Sequence, residues 1–218
     1  CPADAFEAFT KAHPDHTVIS YVNTTAAVKA LTDVVVTSTN AKKIVDSFPK
    51  DAKLIFGPDR NLGDYINSVT GRQMLLWDGA CHVHEQFSVE KLLKLKEANP
   101  DAEVLAHPEC KKPLLLVADF IGSTAALLNY TISSDKKKFL VATESGIIHE
   151  MQKKNPDKEF IPVPPNDSTC ACNECNFMRL NTLEKLYKCL LNESPEILVE
   201  ESIREKAVKP ILRMLELS

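Results

Sequence analysis

The chain has 218 residues, 44% hydrophobic and 26% charged, with a net charge of −4. That balance fits a soluble globular protein of one large or two small domains and lacks the basic footprint of a nucleic-acid binder. No apolar run reaches the roughly 18–20 residues of a membrane span, and no signal peptide opens the chain. Seven cysteines are too few for a disulfide scaffold. The expected compartment is therefore a reducing cytoplasm, where clustered thiols are metal ligands or redox groups more often than staples.

In chain order, residues 4–13 read as a short amphipathic helix, 17–22 as a β-rich run and 26–31 as a helix. A second strand over 33–36 ends at Thr37-Ser38 and precedes a helix over 40–48. A third strand over 53–56 leads through Gly57-Pro-Asp-Arg-Asn-Leu-Gly63 into another helix, and 73–77 is a fourth strand. Ser88 is a candidate N-cap for the helix that follows the Cys81 loop. The pattern then recurs. A strand over 103–106 ends at His107-Pro108-Glu109, one over 119–121 ends at Gly122-Ser123-Thr124, and one over 138–142 leads through 143–146 to a helix. Apolar β runs alternating with helices of about ten residues predict βαβ units and parallel sheets, an α/β fold. The tail reads as a helix over 181–192, with Leu183, Leu186, Tyr187 and Leu190 on one face, then a second helix from about Val199 that Pro210 restarts. Cys189 and Cys110 are expected in packing.

The recurrence is an internal repeat at an offset of 86 residues. Tyr21 falls on His107, Asn23 on Glu109, Asp33 on Asp119, Ser38 on Thr124, and Leu54-Ile55 on Leu140-Val141. Polar groups therefore collect at equivalent strand ends, where open α/β sheets bind ligands. Ser38 and Thr124 are expected at helix N-termini, as ordinary N-caps or as a pair gripping the two ends of a small polyanion. His107-Pro108-Glu109 is a stiff corner presenting an imidazole beside a carboxylate, which suits proton transfer near neutral pH or a purely structural histidine. Arg60, in the loop between Gly57 and Gly63, is placed to reach an anion or to lie at the surface.

Two thiol regions remain. Cys81 has His82 and His84 beside it, and Cys170-Ala-Cys172-Asn-Glu-Cys175 lies in a stretch without apolar periodicity. The residue types allow zinc held by Cys81, His82 or His84 and two late thiols, or an iron–sulfur cluster using Cys81 and one late thiol. A thioredoxin-like pair is weaker, because Cys172-Asn-Glu-Cys175 does not open a helix after a strand.

Eight stretches in this order resemble the quinolinate synthase family. They are Tyr21-Val-Asn23, Thr37-Ser38-Thr39-Asn40, Gly57 to Gly63, Cys81-His-Val-His84, His107-Pro-Glu-Cys110, Gly122-Ser-Thr124, Cys175-Asn-Phe-Met-Arg-Leu-Asn-Thr-Leu183 and Lys209-Pro-Ile-Leu-Arg213. The resemblance implies repeated three-layer αβα units with parallel sheets around a pseudo-threefold axis, two of three being present. Residues 1–80 would be one unit, 81–165 the next, and 166–218 a ligand loop with C-terminal helices. It also implies a [4Fe–4S] cluster with one cysteine per unit and an open iron for substrate. Cys81 and Cys175 match two of the ligands, and the third is expected in a unit preceding Cys1. Tyr21, Asn23, Ser38, His107, Glu109 and Thr124 match substrate contacts, with Glu109, His107 and Tyr21 as the catalytic candidates, and His84 matches a histidine near the cluster. The implied reaction condenses iminoaspartate with dihydroxyacetone phosphate to quinolinate in NAD biosynthesis, losing phosphate and water. The implied functional link is to L-aspartate oxidase or aspartate dehydrogenase, which would supply the imine. An inactive metal-binding fragment and a zinc-dependent hydrolase stay open as alternatives.

Overall fold

A computed structural model describes residues 1–167 and 173–218. Its first half runs α1 (Ala3–Lys11), β1 (Thr17–Tyr21), α2 (Ala26–Lys29), β2 (Val34–Val36), α3 (Ala41–Asp46), β3 (Leu54–Phe56), α4 (Arg60–Thr70) and β4 (Leu75–Leu76). The second half runs α5 (Val89–Ala98), β5 (Glu103–Ala106), α6 (Lys112–Leu115), β6 (Phe120–Ile121), α7 (Thr124–Ser133), β7 (Lys138–Ala142), α8 (Gly146–Lys154) and β8 (Glu159–Pro162). Helices α9 (Leu183–Asn192) and α10 (Glu201–Leu217) follow.

Each half forms a four-stranded parallel sheet, ordered β2-β1-β3-β4 in one and β6-β5-β7-β8 in the other. Helices cover both faces, so strands such as Val34-Val35-Val36 are buried along their whole length. That is why they read as unbroken apolar runs rather than as alternating ones. The repeat extends to single bonds. Asp33 Oδ2 accepts from the Val18 N–H at 2.7 Å, and Asp119 Oδ2 accepts from the Val104 N–H at 2.8 Å. Both pairs are separated by the same 86 residues as the strands.

The structure adds α6 and β8, which the strand and helix patterns did not reveal, and it shortens the fourth strand to Leu75–Leu76. Pro210 does not restart a helix. It lies buried inside a continuous α10, which packs against α2, α3 and β2. Burial of the ring against the first unit offsets the lost intrahelical N–H. Cys110 is buried as expected and donates its thiol to the Ala142 carbonyl at 3.3 Å. Cys189 is only half-buried, because α9 has no buried residue at all. Among the described residues, no helix is long and apolar enough to cross a membrane.

Candidate metal centre and active site

Both strands that end at the polar edge are central in their sheets, which fixes the edge firmly. Tyr21 closes β1, and His107 follows β5 with its N–H bonded to the Ala142 carbonyl at 3.1 Å. The turn after His107 brings Glu109 back beneath it, and both side chains are buried. The Glu109 N–H donates to His107 Nδ1 at 3.3 Å. Nδ1 is thus an acceptor, which leaves the proton of the neutral ring on Nε2. Burial and the neighbouring His84 push His107 down to about 4, so the ring is neutral at physiological pH.

His84 completes the group from the other side. Its ring stacks on His107 at a centroid distance of 4.7 Å, and its Nε2 lies 3.1 Å from Thr143 Oγ1. Its Nδ1 lies 2.8 Å from Glu109 Oε2 but outside the direction of a well-formed hydrogen bond. Burial disfavours charge on His84, but Cys81 and Glu109 together outweigh it and raise the ring to about 9. The same partnership overcomes burial at Glu109 and holds its carboxyl below the usual range. The Tyr21 phenol faces Glu109 and Ser38, and burial with the Glu109 charge keeps it protonated. Donor atoms of Cys81, His84 and Glu109 lie within 4.8 Å of one another.

Cys81 and Cys175 occupy matching turns. The Cys81 carbonyl accepts from the Glu85 N–H at 3.0 Å, and the Cys175 carbonyl accepts from the Arg179 N–H at the same distance. A 3-10 turn follows each, His84–Gln86 in one and Met178–Leu180 in the other. Ser88 Oγ then caps α5 through the Lys91 N–H, and Thr182 Oγ1 caps α9 through the Lys185 N–H, both at 3.2 Å. Every one of these pairs is spaced by 94 residues. The turns also meet: the ring of His82 packs edge-on against that of Phe177 at 5.3 Å. Both thiols are half-buried and pack against one apolar cluster that includes Val83, Phe87 and Val163.

Of the residues singled out from sequence, Tyr21, Ser38, His107, Glu109 and Cys81 converge at this edge. Asn23 and Thr124 are exposed at their strand ends, with no side-chain bond to that group among the described residues. Neither hydroxyl of the expected cap pair is a cap. Thr124 is the first residue of α7, which Ser123 caps, and Ser38 sits in a turn held by Thr37 and Asn40. That frees Ser38 to face the Tyr21 phenol. Arg60 binds Asp78 and Glu85 rather than standing free. Cys170 and Cys172 lie outside the described residues. Direct contact of His84 with Glu109 and Thr143 was missed, as were the bonds from the Cys81 and Cys175 N–H groups to the Asp59 and Glu144 carboxylates. The visible signals were an acid before a helix, in Asp59-Arg60, and the acid in Thr143-Glu144-Ser145-Gly146.

Duplicated parallel sheets, with thiols, imidazoles and a buried carboxylate gathered at strand ends, define an α/β protein of repeated units with a candidate site on their shared edge. The family model described as quinolinate synthetase A protein (NadA) matches residues 1–216, and the chain belongs to that family. The whole chain is 58% identical to the quinolinate synthases of Synechococcus sp., Thermosynechococcus vestitus and Chloroherpeton thalassium, and it covers 68% of each.

Proposed function

We propose that this chain supplies two of the three units of a quinolinate synthase, which joins iminoaspartate to dihydroxyacetone phosphate and releases phosphate and water. The observation that carries the reading is the buried Glu109, shared by His84 and Tyr21, beside a thiol whose turn meets a second thiol-bearing turn. Two half-buried thiols on a common apolar wall suit an iron–sulfur cluster, since thiolates are its ligands and a dry shell protects it. Cys81 and Cys175 would hold it, with a third cysteine from the remaining unit. When bound, the cluster supplies an open iron that acts as a Lewis acid on a substrate hydroxyl or carboxylate.

The chain's own residues account for the proton traffic. Glu109 is ionised at rest, and its carboxylate takes a proton during condensation and returns it during dehydration. Tyr21 holds that carboxylate in place with its phenol. Neutral His107 offers an Nε2–H to a substrate oxygen. Ser38, Asn23 and Thr124 line equivalent strand ends and offer uncharged donors to substrate carboxylate and phosphate groups. An enzyme that oxidises aspartate would deliver the imine.

A third α/β unit is part of this reading. Helix α9 matches α5 in cap and register but exposes Leu183, Leu186, Leu190 and Leu191, as a helix does when the sheet it belongs to is elsewhere. The share of the relatives that the chain does not cover, roughly a hundred residues, is the size of one such unit.

Anaerobic reconstitution of the full-length protein should give a brown species with about four irons per chain and quinolinate formation from the two substrates. A second reading is favoured by the short spacing of Cys81, His84 and Glu109: a single zinc ion serving a hydrolase. It predicts one bound zinc and no visible absorbance, and a colourless zinc protein would replace the first reading.

A further inference from the structure

Each thiol turn is tied back to the sheet edge by a carboxylate that also starts a helix. Asp59 stands three residues after the end of β3, and its Oδ1 accepts from the N–H groups of Asn61 and Leu62 at 2.7 and 2.9 Å, opening α4. Its other oxygen, Oδ2, accepts from the Cys81 N–H at 2.5 Å. In the second unit Glu144 follows β7, and its Oε2 accepts from the Gly146 N–H at 2.7 Å, opening α8. Its Oε1 accepts from the Cys175 N–H at 3.3 Å. The offset of 86 pairs Asp59 with Ser145, so the second acid sits one residue earlier along the chain. Its side chain is one methylene longer, which restores the reach.

We infer that Asp59 and Glu144 are paired positioning residues that set the two thiols through their backbone N–H groups. This inference rests on the reading of Cys81 and Cys175 as ligands of one cluster. The chemistry explains why acids stand at both places. A carboxylate has two acceptor oxygens, one for its own helix and one for the next unit's thiol turn, whereas an amide has only one and would point a donor at the second N–H. Bonds to an ionised acceptor are also the stronger kind. Each clamp crosses from the strand edge of one unit to the turn that starts the next, so both thiols are held relative to the sheets rather than by their own loops. The buried Asp59 contributes the shorter bond and the half-exposed Glu144 the longer one.

Asp59→Asn and Glu144→Gln each keep one acceptor for the helix start and lose the arm to the thiol. The test is the rate at which iodoacetamide alkylates Cys81 and Cys175 in the intact protein, freed of iron and kept reduced, read peptide by peptide by mass spectrometry. Opening of a turn exposes its half-buried thiol. Asp59→Asn should accelerate Cys81 about tenfold and leave Cys175 within about twofold, and Glu144→Gln should do the reverse. Equal acceleration of both thiols, or none, overturns the inference. Should Asp59→Asn fail to fold, the Glu144→Gln arm decides it, since Glu144 bonds only the first N–H of α8, at an exposed helix start whose N-cap is Ser145. After reconstitution, both variants should lose iron to a chelator several-fold faster than wild type. A wild-type protein that takes up no iron overturns the ligand reading and the purpose of the clamps with it. Normal iron uptake with unchanged alkylation overturns the clamps alone.

Discussion

The two thiol turns of this protein share a backbone and differ in nearly everything built on it. Cys81 is followed at the third place by His84, which stacks on His107 and reaches Glu109; Cys175 is followed at the same place by the exposed Met178. The helix after the first turn buries Leu92 completely, whereas the equivalent Leu186 of the second is 56% exposed. The cap, the 3-10 turn and the carboxylate clamp recur because they need only a few neighbouring residues. Chemistry and burial do not recur, because they depend on which sheet stands opposite. A duplicated motif thus repeats the local turn around a thiol, while the stacked imidazoles and the buried carboxylate stand at the first turn.

The strongest way to break this comparison is to remove the thiols. In the full-length protein, Cys81→Ser and Cys175→Ser should each abolish cluster binding, measured as iron per chain and visible absorbance, while Cys170→Ser and Cys172→Ser keep it. A cluster that survives loss of Cys175 would remove the equivalence of the turns. Next in size, Glu109→Gln should retain the cluster and lower turnover by about 10²–10⁴-fold. Wild-type rates in that variant would mean the first turn carries no special chemistry.

Burial offers a smaller and sharper contrast. In urea titrations of the 218-residue chain, Leu92→Ala should cost about 2–5 kcal/mol, and Leu186→Ala less than about 0.5 kcal/mol. The gap should close in the full-length protein, where a third unit would cover α9. More local still, Ser88→Ala and Thr182→Ala should each cost about 1 kcal/mol of helix stability, followed by amide exchange in the first turns of α5 and α9. A cap effect present at only one helix would show that the turns resemble each other in shape and not in energy.

Much of this was legible in the residues. The duplication at 86 residues, the parallel sheets and the loaded corner at His107-Pro108-Glu109 all appear in the sequence pattern. The second repeat, at 94 residues through Cys81 and Cys175, was hidden. The link from β8 to the Cys175 turn is longer than that from β4 to the Cys81 turn, which breaks the register. The clamps were hidden for a similar reason, since Glu144 stands one place away from the counterpart of Asp59.

Local sequence was enough for what depends on local physics. β-branched runs gave strands, the Ser88 hydroxyl gave the cap of α5, and the spacing of strands with helices gave βαβ units. Tertiary packing alone decided that the Tyr21 phenol meets Ser38, and that His84 stacks on His107. It also decided that Pro210 sits inside a helix, and that α9, with the stronger apolar face on paper, stays uncovered while α5 buries Leu92. A side chain's partner across a sheet edge lies tens of residues away in the chain, and its burial depends on the total apolar surface brought opposite it, which no short stretch of sequence encodes.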